Sequence, residues 1–84
     1  MLKLDLSRKA MAFLEKIPPK QFRQVVNKVF SLMDNPEPHD SQALAGYPYR
    51  RADIGEYRII YRLEEETVKI AVIGKRNETM CTEN

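Results

Sequence analysis

A chain of 84 residues can bury one small core, so a single domain over 1–84 is expected; with 43% hydrophobic and 31% charged residues it is too apolar to remain disordered. Apolar runs of only a few residues argue against a membrane span, and the alternation from Met1 to Leu6 argues against a signal peptide, which predicts a cytoplasmic protein with no membrane partner. Cys81 and His39 stand alone, which excludes an internal disulfide and a Cys/His metal centre, so neither metal nor other cofactor is expected.

The net charge of +2 is small, but it is unevenly placed. Residues 1–33 carry seven Lys or Arg against Asp5 and Glu15, whereas residues 34–46 hold Asp34, Glu37 and Asp40 and no Lys or Arg. Residues 47–62 are basic again, with Arg50, Arg51, Arg58 and Arg62 interleaved with Tyr47, Tyr49, Tyr57 and Tyr61. Arginine mixed with aromatic rings suits contacts to phosphates and bases.

In chain order, Leu2, Leu4 and Leu6 alternate with Lys3 and Asp5, the period of a half-buried strand. Ser7 is placed to cap a helix whose apolar positions are Ala10, Phe13, Leu14 and Ile17 and which Pro18 and Pro19 stop. The same prolines can open a second helix from about Pro19 to Met33, with Phe22, Val25, Val26, Val29 and Met33 as its apolar stripe and Lys20, Arg23, Gln24, Asn27 and Lys28 outside. An antiparallel helical hairpin follows. Asn35 to Gly46, with two prolines and a glycine, reads as a long, mostly irregular connection. Tyr49 to Asp53, Glu56 to Leu63 and Thr67 to Gly74 then read as three strands of an antiparallel meander, turned at Gly55 and at Glu64 to Glu66. The fold class expected is α+β, in the order β-α-α-β-β-β: an antiparallel sheet with the helical hairpin on one face. Tyr57, Ile59, Tyr61 and Leu63 are assigned to the core side of the middle strand, and Arg58, Ile60 and Arg62 to the open face.

Cleaving RNA without a metal requires a base for the 2′-hydroxyl, cations that offset the charge of the in-line phosphorane, and a proton donor for the leaving oxygen. The guanidinium fork meets the second need best, so Arg51, Arg58 and Arg76 are candidates to clamp one phosphate. The alternative role for such strand arginines is to cover apolar surface or to pair with Asp53, Glu56 or Glu78. Lys75 and Arg50 flank these positions, and Lys20, Arg23 and Lys28 form a basic helix face suited to a polyanion or simply to solvent. His39 lies in the acidic loop and is read as a surface residue.

The run from Tyr49 to Tyr61, Tyr-Arg-Arg-Ala-Asp-Ile-Gly-Glu-Tyr-Arg-Ile-Ile-Tyr, resembles the central strand pair of the RelE and ParE toxin superfamily. Leu44-Ala45-Gly46 resembles that family's Leu-x-Gly element, and Ile73-Gly74-Lys75-Arg76 its basic last-strand end. The resemblance covers nearly the whole chain and implies a RelE-like fold. It also implies the toxin of a type II toxin–antitoxin pair, a metal-independent mRNA endoribonuclease (mRNA interferase) with a cognate antitoxin, the ribosome and mRNA as partners. In that reading Arg58 and Arg76 stabilise the phosphate and Arg51 matches a basic residue of the preceding strand; Lys20, Arg23, Lys28, Arg50 and Lys75 are further RNA contacts. Two departures stand out: Asp53 occupies a position that is usually basic in RelE-type enzymes, and Asn77 to Asn84 lacks the family's tyrosine, which leaves the general base unassigned. A ParE-like inhibitor of DNA gyrase and an inactive homologue that binds an antitoxin remain the alternatives.

Overall fold

The structure, a computed structural model, describes residues 1–76. Glu78, Met80, Cys81 and the tyrosine-free stretch from Asn77 to Asn84 lie outside the described residues.

Strand β1 (Lys3–Leu6) ends at Ser7, whose side chain does two things at once. Its hydroxyl accepts from the Ala10 N–H at 3.0 Å, capping α1 (Arg8–Lys16), and donates to the Ala71 carbonyl at 2.6 Å. After Pro18, α2 (Pro19–Asp34) begins with a proline in its first turn, where the missing N–H is not needed. Val25, Val29 and Leu32, spaced four and three apart, bury one face of α2, and Ala10 and Leu14 do so for α1. Leu32 rather than Met33 is the fully buried end of this line, while Met33, one position on, turns toward an open hollow with Met1 and Leu2; Phe22, expected on the buried stripe, is 40% exposed.

The sheet comprises β1, β2 (Ser41–Ala43), β3 (Arg50–Ile54), β4 (Tyr57–Glu64) and β5 (Thr67–Lys75), in the spatial order β1-β5-β4-β3-β2. The helical hairpin packs on one face, over a core of Val68, Ile70 and Ile73 from β5, Tyr57, Ile59 and Tyr61 from β4 and Ala52 from β3. Tyr61 is fully buried and its hydroxyl donates to the Pro36 carbonyl at 2.5 Å, so the polar tip of the largest core residue is satisfied. Phe13 of α1 meets the Tyr57 ring edge-on at 5.8 Å. Among the described residues no helix is long and apolar enough to cross a membrane.

The α+β fold with its helical hairpin is as expected, and two details differ. A short strand, β2, lies within the segment expected to be irregular, pairing Ser41 to Ala43 with Ala52 to Arg50. Its three residues show no apolar alternation, since an edge strand need not bury a face. The sheet is also mixed rather than wholly antiparallel, because β1 pairs in parallel with Thr67 to Ile70 of β5. The physical reason is the path of the chain between the two strands, and β1 spans only the first half of β5. At Ser7 the chain leaves the sheet edge and runs on in the same direction as α1, which lies over the second half of β5 through Lys9, Phe13 and Lys16 beside Val72, Ile73 and Gly74. Only α2 reverses the chain, ending where Met33 accepts from the Leu2 N–H, and three further reversals leave β5 parallel to β1.

The pairing of β4 with β5 shifts by one residue. Tyr61 lies opposite Ile70 and Ile60 opposite Val72, so Ala71 is an extra residue, a β-bulge, and its carbonyl is the one that Ser7 binds. The β3–β4 turn carries Gly55 at φ 58°, while the β4–β5 turn places Glu65 and Glu66 at φ 50° and 62°, a left-handed pair that glycine or asparagine usually occupies. Leu63, expected in the core, is 47% exposed: it stands beyond the end of α2 and lines an open hollow with Met1, Leu2 and Met33. Ile60, expected on the open face, is only 7% exposed between its cross-strand neighbours Arg51 and Val72.

Leu32→Ala is expected to lower the unfolding free energy by about 3 kcal/mol, as for other fully buried leucines, and Leu63→Ala by less than about 1 kcal/mol. Urea unfolding of both variants measures the difference directly.

Candidate functional site

Pairing between β3 and β4 sets Asp53 directly across from Arg58, and pairing between β4 and β5 sets Arg58 across from Gly74. Residues two apart on a strand share a face, so Arg51, Asp53, Arg58, Gly74 and Arg76 all belong to the face away from the helices. The bulge is what admits Arg76 to this set. Val68 and Ile70 face the core, and an unbroken alternation would send Arg76 there too; the extra residue at Ala71 inverts the phase, so that Ile73 is buried and Gly74 and Arg76 face outward. Gly74 has no side chain to fill the space between Arg58 and Arg76.

The two guanidinium groups converge on one carboxylate. Arg58 Nε donates to Asp53 Oδ1 at 2.9 Å and its Nη2 to Oδ2 at 3.5 Å, while Arg76 Nε lies 3.4 Å from Oδ2. Arg76 is further fixed by a bond from its Nη1 to the Gly55 carbonyl at 3.3 Å and from its backbone N–H to the Glu56 carbonyl at 2.8 Å. Beside this triad is an open hollow of about 440 Å³ lined by Gly55, Glu56, Arg58 and Arg76. Gly55 is held against α2, for a side chain there would meet the Gln24 amide at 3.0 Å. Burial pushes the Asp53 carboxyl up, but the hydrogen bond and charge of Arg58, and the charges of Arg76 and Arg51, outweigh it and hold the group below the usual carboxylate range.

Of the residues singled out as catalytic candidates, Arg58 and Arg76 line the hollow, and Arg51 lies on the same face but reaches sideways, its Nη2 donating to Gln42 Oε1 of β2 at 2.6 Å. The other basic residues do not gather there. Arg50 lies on the helix side of the sheet and donates to Ser41 Oγ at 2.9 Å. Lys75 sits across from Tyr57, on the face opposite Arg76. Lys28 pairs with Asp40 at 2.6 Å, whereas Lys20 and Arg23 are exposed in the first turns of α2, the helix whose Gln24 lies against Gly55. His39 is exposed beside Asp40 and does not line the hollow. The sequence reading missed Gly55 and Glu56 as lining residues, although a Gly-Glu pair between two strands marks the turn over such a hollow. Among the described residues no group of three or more His, Cys, Asp or Glu is placed to hold a metal ion.

Comparison with known proteins gives a consistent family. A family model for the ParE toxin of type II toxin–antitoxin systems matches residues 4–80. Among solved structures, the chain is similar to a chain of the RelBE toxin–antitoxin complex of Mycobacterium tuberculosis, with 26% identity and a TM-score of 0.79 over 89% of this chain and 98% of that one. It is similar in fold to a chain of the archaeal RelE–RelB complex of Pyrococcus horikoshii (22% identity, TM-score 0.81, 92% and 97% covered). The same holds for the chromosomal ParDE system of P. aeruginosa (19% identity, TM-score 0.74, 89% and 96% covered). No curated protein matches the chain by sequence.

Because Asp53 has a folded-state pKa below its ordinary value of 3.8, its contribution to stability is present above that pH and is lost as the pH falls through the lower folded-state value. Asp53→Asn is therefore expected to be less stable than the wild type at neutral pH, with the gap closing in acid. Urea unfolding midpoints of the two proteins across the carboxylate range measure it, and a gap unchanged in acid would rule out an ionic origin.

Proposed function

The chain belongs to the ParE toxin family of type II toxin–antitoxin systems, within the RelE/ParE superfamily, and on that premise we propose that it is a toxin that cleaves messenger RNA on the ribosome. The observation that carries this reading is the convergence of Arg58 and Arg76 on a single anion beside an open hollow. Two guanidinium groups spaced to share one carboxylate can also share one phosphodiester, because each fork presents donors to non-bridging oxygens and stays charged at any working pH. In the proposed step the RNA 2′-oxygen attacks the adjacent phosphorus and the bond to the 5′-oxygen breaks, which leaves a 2′,3′-cyclic phosphate and a 5′-hydroxyl. Arg58 and Arg76 stabilise the negative charge that builds on the phosphorane oxygens. The 2′-hydroxyl proton passes to a base and the leaving oxygen takes a proton from an acid, two roles that these arginines, charged at any working pH, do not fill. Arg51, on the same face, guides the strand, and the exposed Lys20 and Arg23 of α2 make outer contacts. No cofactor enters the proposed step.

The proposal includes a cognate antitoxin as partner, in keeping with the toxin–antitoxin complexes the fold resembles. An acidic segment laid over Arg51, Arg58 and Arg76 would silence the toxin by competing for its cations.

A second reading, a ParE-like inhibitor of DNA gyrase without RNA chemistry, is favoured by one observation: the matching family model is that of the ParE toxin. Primer extension on messages after brief induction separates the two. Cuts within translated frames are expected, and Arg58→Ala with Arg76→Ala should reduce them by about a hundredfold or more. Toxicity with intact messages and DNA damage would replace this reading with the gyrase one, and normal growth with intact messages would leave a binding-only homologue.

A further inference from the structure

The seat assigned above to a phosphate already holds an anion. Asp53 lies in cross-strand register with Arg58, whose fork takes both of its carboxylate oxygens while Arg76 Nε shares Oδ2, and its side chain is only 26% exposed. Its position is set by two strands of the same sheet, so it is part of the site's resting arrangement. We propose that Asp53 is an internal stand-in for the phosphodiester, a specificity-determining residue that an RNA strand must displace before Arg58 and Arg76 can engage it; this rests on the reading of these arginines as a phosphate seat.

The geometry also orders the exchange. Arg76 is half exposed and meets Asp53 at 3.4 Å, whereas Arg58 is 19% exposed and meets it at 2.9 Å. An entering phosphate therefore takes Arg76 first, from the side of the hollow, and Arg58 last. Until then Asp53 and Glu56 offset two of the three charges of Arg51, Arg58 and Arg76, so the face attracts a free polyanion weakly. The ligand class this favours is a single strand already held by other contacts, since a loose strand gains little from a seat whose cations are engaged.

The probe is a 2′-O-methyl RNA oligonucleotide, which cannot be cleaved, titrated by fluorescence anisotropy at several salt concentrations. Asp53→Asn keeps the shape and removes the charge. It should bind about tenfold more tightly than the wild type, and its log–log salt dependence should be steeper by about 0.7, the value for one further neutralised phosphate on a single strand. Asp53→Glu restores the charge and should restore the wild-type slope. Circular dichroism of each variant checks that it is folded.

Equal or weaker binding by Asp53→Asn, or tighter binding with an unchanged salt slope, overturns the proposal. If binding is lost in the Arg58→Ala, Arg76→Ala variant yet unmoved by Asp53→Asn, the stand-in role fails while the phosphate seat survives. Binding indifferent to all three substitutions overturns both. Intact messages in the induction experiment, with the Asp53→Asn gain present, remove the cleavage reading alone.

Discussion

The face that carries Arg58 and Arg76 depends on one extra residue in the last strand. A strand presents alternate side chains to alternate faces, and a single insertion exchanges the two sets for everything that follows. Ala71 is that insertion. Upstream of it, Val68 and Ile70 fill the core; downstream, Ile73 takes over the core and Arg76 is turned to meet Arg58 and Asp53. The bulge is held from outside the strand by Ser7, whose N–H binds Ile70 and whose hydroxyl binds Ala71 while also capping α1. The start of the helical hairpin and the phase of the basic face are thus set by one side chain.

The same arrangement shows how a small sheet tolerates a cluster of like charges. Arg51, Arg58 and Arg76 project from adjacent strands, where mutual repulsion would be destabilising without a counter-charge. Asp53 supplies one, and the arginines in turn depress its pKa. Stability at neutral pH and readiness to bind another anion therefore draw on the same two guanidinium groups, and a change that favours one disfavours the other.

Much of this was legible from residue order. The first strand, the two helices on either side of Pro18 and Pro19, and the three strands of the meander follow from periodicity and from turn residues, and Arg58 and Arg76 stand out as candidates. What was not legible depends on tertiary context. The three residues of β2 carry no alternation, because they form an edge that buries little. The parallel pairing of β1 follows from the number of chain reversals between it and β5, a relation between segments sixty residues apart. The bulge does leave a trace, since Val68, Ile70 and Ile73 break a strict two-residue period, yet a mixed apolar strand such as Thr67 to Lys75 admits several phasings. Arg50 and Arg51 are alike by type, and Lys75 and Arg76 by charge; only the register sends one of each pair to the face away from the helices.

The two ends of the sheet are electrically unlike. At the Gly55 end lie Arg58, Arg76, the exposed Lys20 and Arg23, and the amino terminus of α2, whose unpaired N–H groups add positive potential. At the opposite end Arg62 and Lys69 are both paired with Glu64, and the left-handed turn of Glu65 and Glu66 follows it, with Asp34 and the carboxyl terminus of α2 near Leu2. A molecule of net charge +2 built this way holds its uncompensated positive charge toward one end of the strands, so a polyanion exerts a torque on it as well as an attraction. Encounters are thereby biased toward one orientation before any contact is made, with the Gly55 turn leading and the glutamate turn trailing.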